Sequence, residues 1–395
     1  VECRNCFFCV FSNNCELSTD LTNCTNCYSV TFALDSHNCR DSAFLFDCRN
    51  CTDCFFCFNL RNKQYCIGNK QYTKEEYMVE RQKWQLGSRQ VYEQAKKEFQ
   101  QLIFTRAWWR AQHVEQVENV VGEYVREAKN CENVFFVDKC QDVINCLRAF
   151  DLKDAVNSSG SMGSELLAYT SLAQHSYDAK FCVSLMNCKF VEYCINCTNC
   201  ENCFACCGLV GKNYHIMNKE YSPEEYQRRV AEIKASLRAS GTYGQIFPGY
   251  FSPCSYEDSI SAFYWPLSRE DQTELNYRIK QDDPISSEGM LSPTAIPDNA
   301  TMVGNDIIGK SFFDDVAKRP FSIQAFDLEH SKRQNVPLPN SFYARRTSEN
   351  FRWMFFDGTL RETTCAVTGE KILTALPKAL DGRILSQAAY AEKVL

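Results

Sequence analysis

The sequence predicts a mainly β fold with helices. Two duplicated narrow β-solenoids are each followed by a capping helix, and a C-terminal α+β module completes the chain. Three observations predict this: cysteines in a strict period of three, an asparagine column in a period of twelve, and two matching segments 149 residues apart.

The chain has 395 residues and 25 cysteines, of which twelve lie in 3–66 and eleven in 131–207. Every cysteine of the first cluster falls on a multiple of three, and in the second only Cys207 is out of phase. The in-phase positions between them are almost all small or apolar, such as Ser12, Val30, Ala33 and Leu45. A period of three fits neither the 3.6 of a helix nor the 2 of a simple strand. It fits a chain that bends every three residues and turns one residue in three inward. Stepping by twelve gives Cys3, Cys15, Cys27, Cys39 and Cys51, with Asn14, Asn26, Asn38 and Asn50 just before the last four and Asn62 one step further on, before Lys63. Asparagine tolerates the left-handed conformation and can bond to a copy above or below. The reading is therefore about twelve residues per turn, with about 4.8 Å between turns. Cys188 and Cys200 take the interior positions of the second solenoid. This rhythm resembles the interior of insect antifreeze β-helices, but the Thr-x-Thr face of those proteins has no counterpart here.

"FFCFNLRNKQYCIGNKQYTKEEY" (55–77) aligns with "FACCGLVGKNYHIMNKEYSPEEY" (204–226). Thr73 with Glu76, and Ser222 with Glu225, read as capping boxes that open helices over 74–107 and 224–239, the first broken near Leu86-Gly87-Ser88. Lys63 and Lys212 break the apolar register and read as plugs, since an open solenoid end needs a cap. The expected domains are solenoid 1 over 1–72, a helical connector over 73–112, solenoid 2 over 113–218, a helix and Pro-rich extended segment over 219–300, and a C-terminal module over 301–395.

"GQIFPGYFSPCSYEDSISAFYWPLSRED" (244–271) and "AKRPFSIQAFDLEHSKRQNVPLP" (317–339), after the Cys-x2-Cys runs, resemble a large uncharacterised cysteine-rich family of candidate-phyla bacteria and phages. The resemblance implies a C-terminal module like paired zinc ribbons. Here that module keeps only Cys365, with Thr368 where a second cysteine would sit, and zinc needs four ligands. No metal or cofactor is expected in it.

Net charge is −6 and the isoelectric point about 5.6, which argues against a general nucleic-acid binder. No apolar run is long enough to span a membrane. The five histidines form no catalytic constellation, and no phosphate loop or nucleophile elbow is present. "FTRAWWR" (104–110) reads as a packing cluster rather than a base-stacking platform. The leading reading of the cysteines is reduced, buried and space-filling. Disulfides such as Cys51–Cys57 or Cys197–Cys203, and zinc, are the alternatives. A second column, Phe32, Phe44 and Phe56, with Tyr169, Phe181 and Tyr193 in the second solenoid, forms an apolar stripe that something must cover. Three covers are available: the helix after each solenoid, the sister solenoid, or another chain at an assembly interface.

The expectation is a non-enzymatic structural or interaction protein. Its partners are other proteins or copies of itself, in a phage virion or other extracellular assembly. The alternative is a zinc-dependent binding module inside the cell, in the cytoplasm.

Overall fold

A computed structural model describes residues 2–115, 189–245, 248–252, 254–259, 261–281, 285–352 and 360–394, and between 116 and 188 mainly the backbone of short strands. It is a mixed structure of helices and sheets. The chain forms two compact units. One holds Val1–Ala111, Tyr256–Ser268 and Ile279–Leu395; the other holds Gln112–Ser255 and Arg269–Arg278.

In the first unit, five parallel strands stack in sequence order: β1 (Thr19–Thr22), β2 (Tyr28–Leu34), β3 (Arg40–Phe46), β4 (Thr52–Phe58) and β5 (Gln64–Ile67). Partners are twelve residues apart, as in Leu21↔Ala33, Val30↔Ser42 and Cys54↔Cys66. Isolated bridges such as Arg4↔Glu16 and His37↔Arg49 carry the same register outside the strands. The bends come from one residue in three. Asn14, Asn26, Asn38, Asn50 and Asn62 have φ of 50–55°, and so do Ser29 and Phe32 among others at the same phase. A bulky residue at positive φ is uncommon, so Phe32, Phe44 and Phe56 are held there by their surroundings.

Interior positions are buried from Cys15 to Cys57. Cys3 points to the same interior, with its thiol 3.5 Å from the Ser12 carbonyl, yet it is exposed because no described repeat stacks beneath it. The ladder does not end as Lys63 and Lys212 suggest, since both lysines are exposed. It ends on a short antiparallel turn to β6 (Lys70–Gln71) and on Asn69, whose amide copies a further strand. Asn69 Nδ2 donates to the Phe58 carbonyl at 2.8 Å, and its Oδ1 accepts from the Phe58 N–H at 2.9 Å.

Two outward rows are buried throughout: Phe7, Thr19, Thr31, Ala43 and Phe55, and Val10, Thr22, Leu34, Phe46 and Phe58. Helices α1 (Lys74–Gln82) and α2 (Arg89–Arg106) supply much of the cover. Thr73 and Glu76 form the reciprocal cap of α1, and Ser88 caps α2 after the break at Gly87. The segment 301–395 joins the same unit. Its strand Ile384–Leu385 pairs with Trp109–Arg110, and Asn350 bonds the Phe8 carbonyl at 2.8 Å.

In the second unit, Lys189–Glu192, Glu201–Phe204 and Asn213–Ile216 pair in parallel with the same twelve-residue register. Asn218 clamps both backbone groups of Cys207, at 2.8 and 2.9 Å. Helix Pro223–Ala239 follows. Ser222 caps it by accepting from the Glu225 N–H, but the Glu225 carboxylate turns to Arg229 at 2.8 Å, so the reciprocal half of the expected box is missing.

Candidate functional site

The first ladder presents three chemically distinct surfaces: an interior of thiols and hydroxyls, a covered aromatic column, and two polar rows.

The interior begins with the backbone. A bend every three residues turns N–H and carbonyl groups inward, where each needs a partner. Serines answer both demands. Ser36 Oγ donates to the Leu34 carbonyl at 2.9 Å and accepts from the Cys48 N–H at 3.2 Å. Ser18 does the same for Glu16 and Val30, and Ser42 for Arg40 and Cys54. Cysteines follow the pattern more loosely. Cys24 Sγ lies 3.4 Å from the carbonyls of both Thr22 and Ala33, and Cys57 Sγ lies 3.3 and 3.4 Å from those of Phe55 and Cys66. Cys194 and Cys206 repeat it in the second unit. The interior cysteines are therefore weak hydrogen-bonding groups as well as space-filling ones. Reading them as small hydrophobes misses this; the serines that share their phase were the signal.

Every described cysteine carries a free thiol. Thiols also touch one another, Cys51 meeting those of Cys39, Cys48 and Cys54. Among the described residues, no group of three or more His, Cys, Asp or Glu is placed to hold a metal ion. Cys200 is buried in the second ladder, and Cys188 lies outside the described residues.

The aromatic column is covered from within the chain. Phe44 is fully buried, 5.3 Å from Phe32, 5.9 Å from Tyr92 and 5.8 Å from Phe99 of α2 by ring centroids. Phe56 stacks on Phe99 at 5.7 Å and meets Trp84 at 4.9 Å. Phe32, Phe44 and Phe56 are thus not an assembly interface: α2 is long enough to lie along the repeats and buries the stripe itself. Tyr193 is half-buried in the second unit, where its hydroxyl accepts from the Gly244 N–H at 2.6 Å. Tyr169 and Phe181 lie outside the described residues.

Buried charges fasten the cover of the first ladder. Asp20 accepts from Tyr92 at 2.5 Å and pairs with Lys96 at 3.3 Å, both on α2. Asp47 accepts from Tyr390 and pairs with Arg61 at 2.9 Å and Arg110 at 3.7 Å. "FTRAWWR" belongs to this packing: Trp109 is buried against Phe46 at 4.3 Å. In the C-terminal module, Cys365 stands just before the turn at 366–368, and its thiol accepts from the Ser386 N–H at 3.4 Å. Burial would raise its pKa, but the Thr368 hydroxyl and nearby backbone N–H groups outweigh it and bring the thiol down to about 6.

The other two rows are polar: in one, Arg4, Glu16 and Arg40 are exposed and Tyr28 and Thr52 half-buried; in the other, Asn13 is exposed and Thr25, His37 and Arg49 are half-buried. Between them runs the exposed asparagine column, with side-chain bonds of 2.7, 3.0, 3.1 and 2.9 Å from Asn14 through Asn62. Arg40 lies over the Tyr28 ring at 5.3 Å. No helix among the described residues is long and apolar enough to cross a membrane.

Compared with known proteins, the chain matches no protein-family model and no curated protein.

Proposed function

We propose that the protein is a non-enzymatic structural or interaction component of a large assembly, built on two duplicated β-solenoids. A phage particle or another extracellular assembly is the setting that the sequence resemblance favours. One observation carries this reading. The apolar rows of the first ladder are covered by its own chain, while the row of Arg4, Glu16, Tyr28, Arg40 and Thr52, with the exposed asparagines beside it, offers polar groups repeated at one strand spacing. A bonded backbone and a bonded asparagine column make that surface stiff, so a partner meets it without an ordering cost. The matching ends of the two ladders, each an asparagine clamp followed by a capped helix, support the duplication.

Sedimentation of lysate from cells that make the protein tests the proposal. The chain is expected with large particles. The charge reversals Arg4→Glu and Arg40→Glu together are expected to release it while its circular dichroism stays unchanged. A wild-type chain that sediments only as free protein overturns the reading.

A further inference from the structure

We propose that Cys54 and Cys66 form a redox-closable pair, at which a small-molecule disulfide such as oxidised glutathione drives a covalent bond between the last two repeats of the first ladder. The inference stands apart from any role in an assembly. It rests on register: the two residues are direct partners between β4 and β5. Both are buried in the interior, stacked one repeat apart on the same inward phase. Strand spacing of about 4.8 Å puts their Cα atoms within the roughly 4.4–6.8 Å that a disulfide bridges. Their stacked Cβ atoms must close by about 1 Å, since a disulfide holds them about 3.8 Å apart.

Position sets this pair apart from the thiols in the middle of the ladder. Cys39 and Cys51 are held by repeats on both sides, and a packed interior resists a local shift. Cys66 has no full repeat beyond it. Its thiol meets Gln71 Oε1 at 3.5 Å, and Lys63, Gln64 and Gln71 around it are exposed. Ends of repeat stacks open before their middles, so this end is where a reagent enters. Burial raises the Cys66 pKa, and the Lys63 ammonium opposes that rise. The second ladder lacks the pair, because His215 stands opposite Cys203 there.

The chemistry is thiol–disulfide exchange. The Cys66 thiol loses its proton, and the thiolate attacks one sulfur of the small disulfide. That S–S bond breaks, and one small thiolate leaves and takes a proton. The Cys54 thiol then loses its proton and attacks the Cys66 sulfur of the mixed disulfide, expelling the second small thiol. The protein gives up two electrons and two protons, and the small disulfide becomes two thiols. The product fastens the hairpin that ends the ladder, just before α1.

The test uses the full chain, folded, with oxidised glutathione, read by peptide mapping under non-reducing conditions. The expected result is a Cys54–Cys66 cross-link that dithiothreitol reverses, with a raised melting temperature. In the Cys54→Ser variant a glutathione adduct on Cys66 is expected instead. Serine is already accepted at four interior positions of this ladder, Ser12, Ser18, Ser36 and Ser42, so the variant should fold, which circular dichroism checks. Cys54 and Cys66 both remaining reduced in the folded chain, or Cys66 joining Cys57 in place of Cys54, overturns the proposal.

Discussion

The Thr19 hydroxyl lies 2.8 Å from Nε2 of His330, across 311 residues of sequence. Thr19 opens β1, and His330 sits on the helix Ala325–Gln334. The imidazole is buried beside the Phe7 ring, 4.2 Å away by centroid. Burial, with help from Arg333, lowers its pKa to about 4.

The buried imidazole gives stability a pH dependence. The folded state holds His330 neutral down to about pH 4, while the unfolded chain takes up its proton near pH 6.5. Between those values the unfolded state binds more protons, so stability falls as pH falls. The expected loss is about 1–3 kcal/mol between pH 7 and pH 4. Urea denaturation at both pH values measures it. His330→Gln, which keeps a polar group for Thr19, should flatten the slope; an unchanged slope would show that other groups cause it.

Phe44→Ser removes the centre of the aromatic column. A buried Phe cut to a small residue costs about 3–5 kcal/mol. The melting temperature of the isolated chain should drop well below that of the wild type. A drop in self-association at unchanged melting temperature would instead restore the column as an interface.

The interior distinguishes hydrogen bonding from simple filling. Ser36→Ala strips the Leu34 carbonyl and the Cys48 N–H of one partner each, at about 1–3 kcal/mol. Cys27→Ser should cost less than Cys27→Leu, for which overpacking costs about 1–3 kcal/mol. A denaturation series in which Ser36→Ala is neutral and leucine outranks serine at 27 would refute the bonding role.

Asn69→Ala uncovers the end of β4, beyond where β5 pairs with it. Its amide holds both backbone groups of Phe58, so exchange of the Phe58 amide hydrogen should accelerate while that of Ala43 stays slow. Equal rates in variant and wild type would mean that the clamp is dispensable.

The local pattern was legible in the sequence because it is local. The phase of Cys15 through Cys51, the asparagines before them, and the caps at Thr73 and Ser222 all follow from backbone preferences within a few residues or from a strict repeat. A repeat fixes its own register, since a slip by one residue would turn charged groups inward and thiols outward. The long-range pairings carry no such period. Only the tertiary structure decided that α2 covers Phe44, that Tyr390 meets Asp47, and that His330 meets Thr19. Each joins single residues far apart in the chain, where packing complementarity rather than spacing selects the partner. The end of the ladder shows both sides. Lys63 breaks the apolar phase where the repeats stop, but only the folded chain brings the Asn69 amide onto the backbone of Phe58, where it takes the place of the next strand.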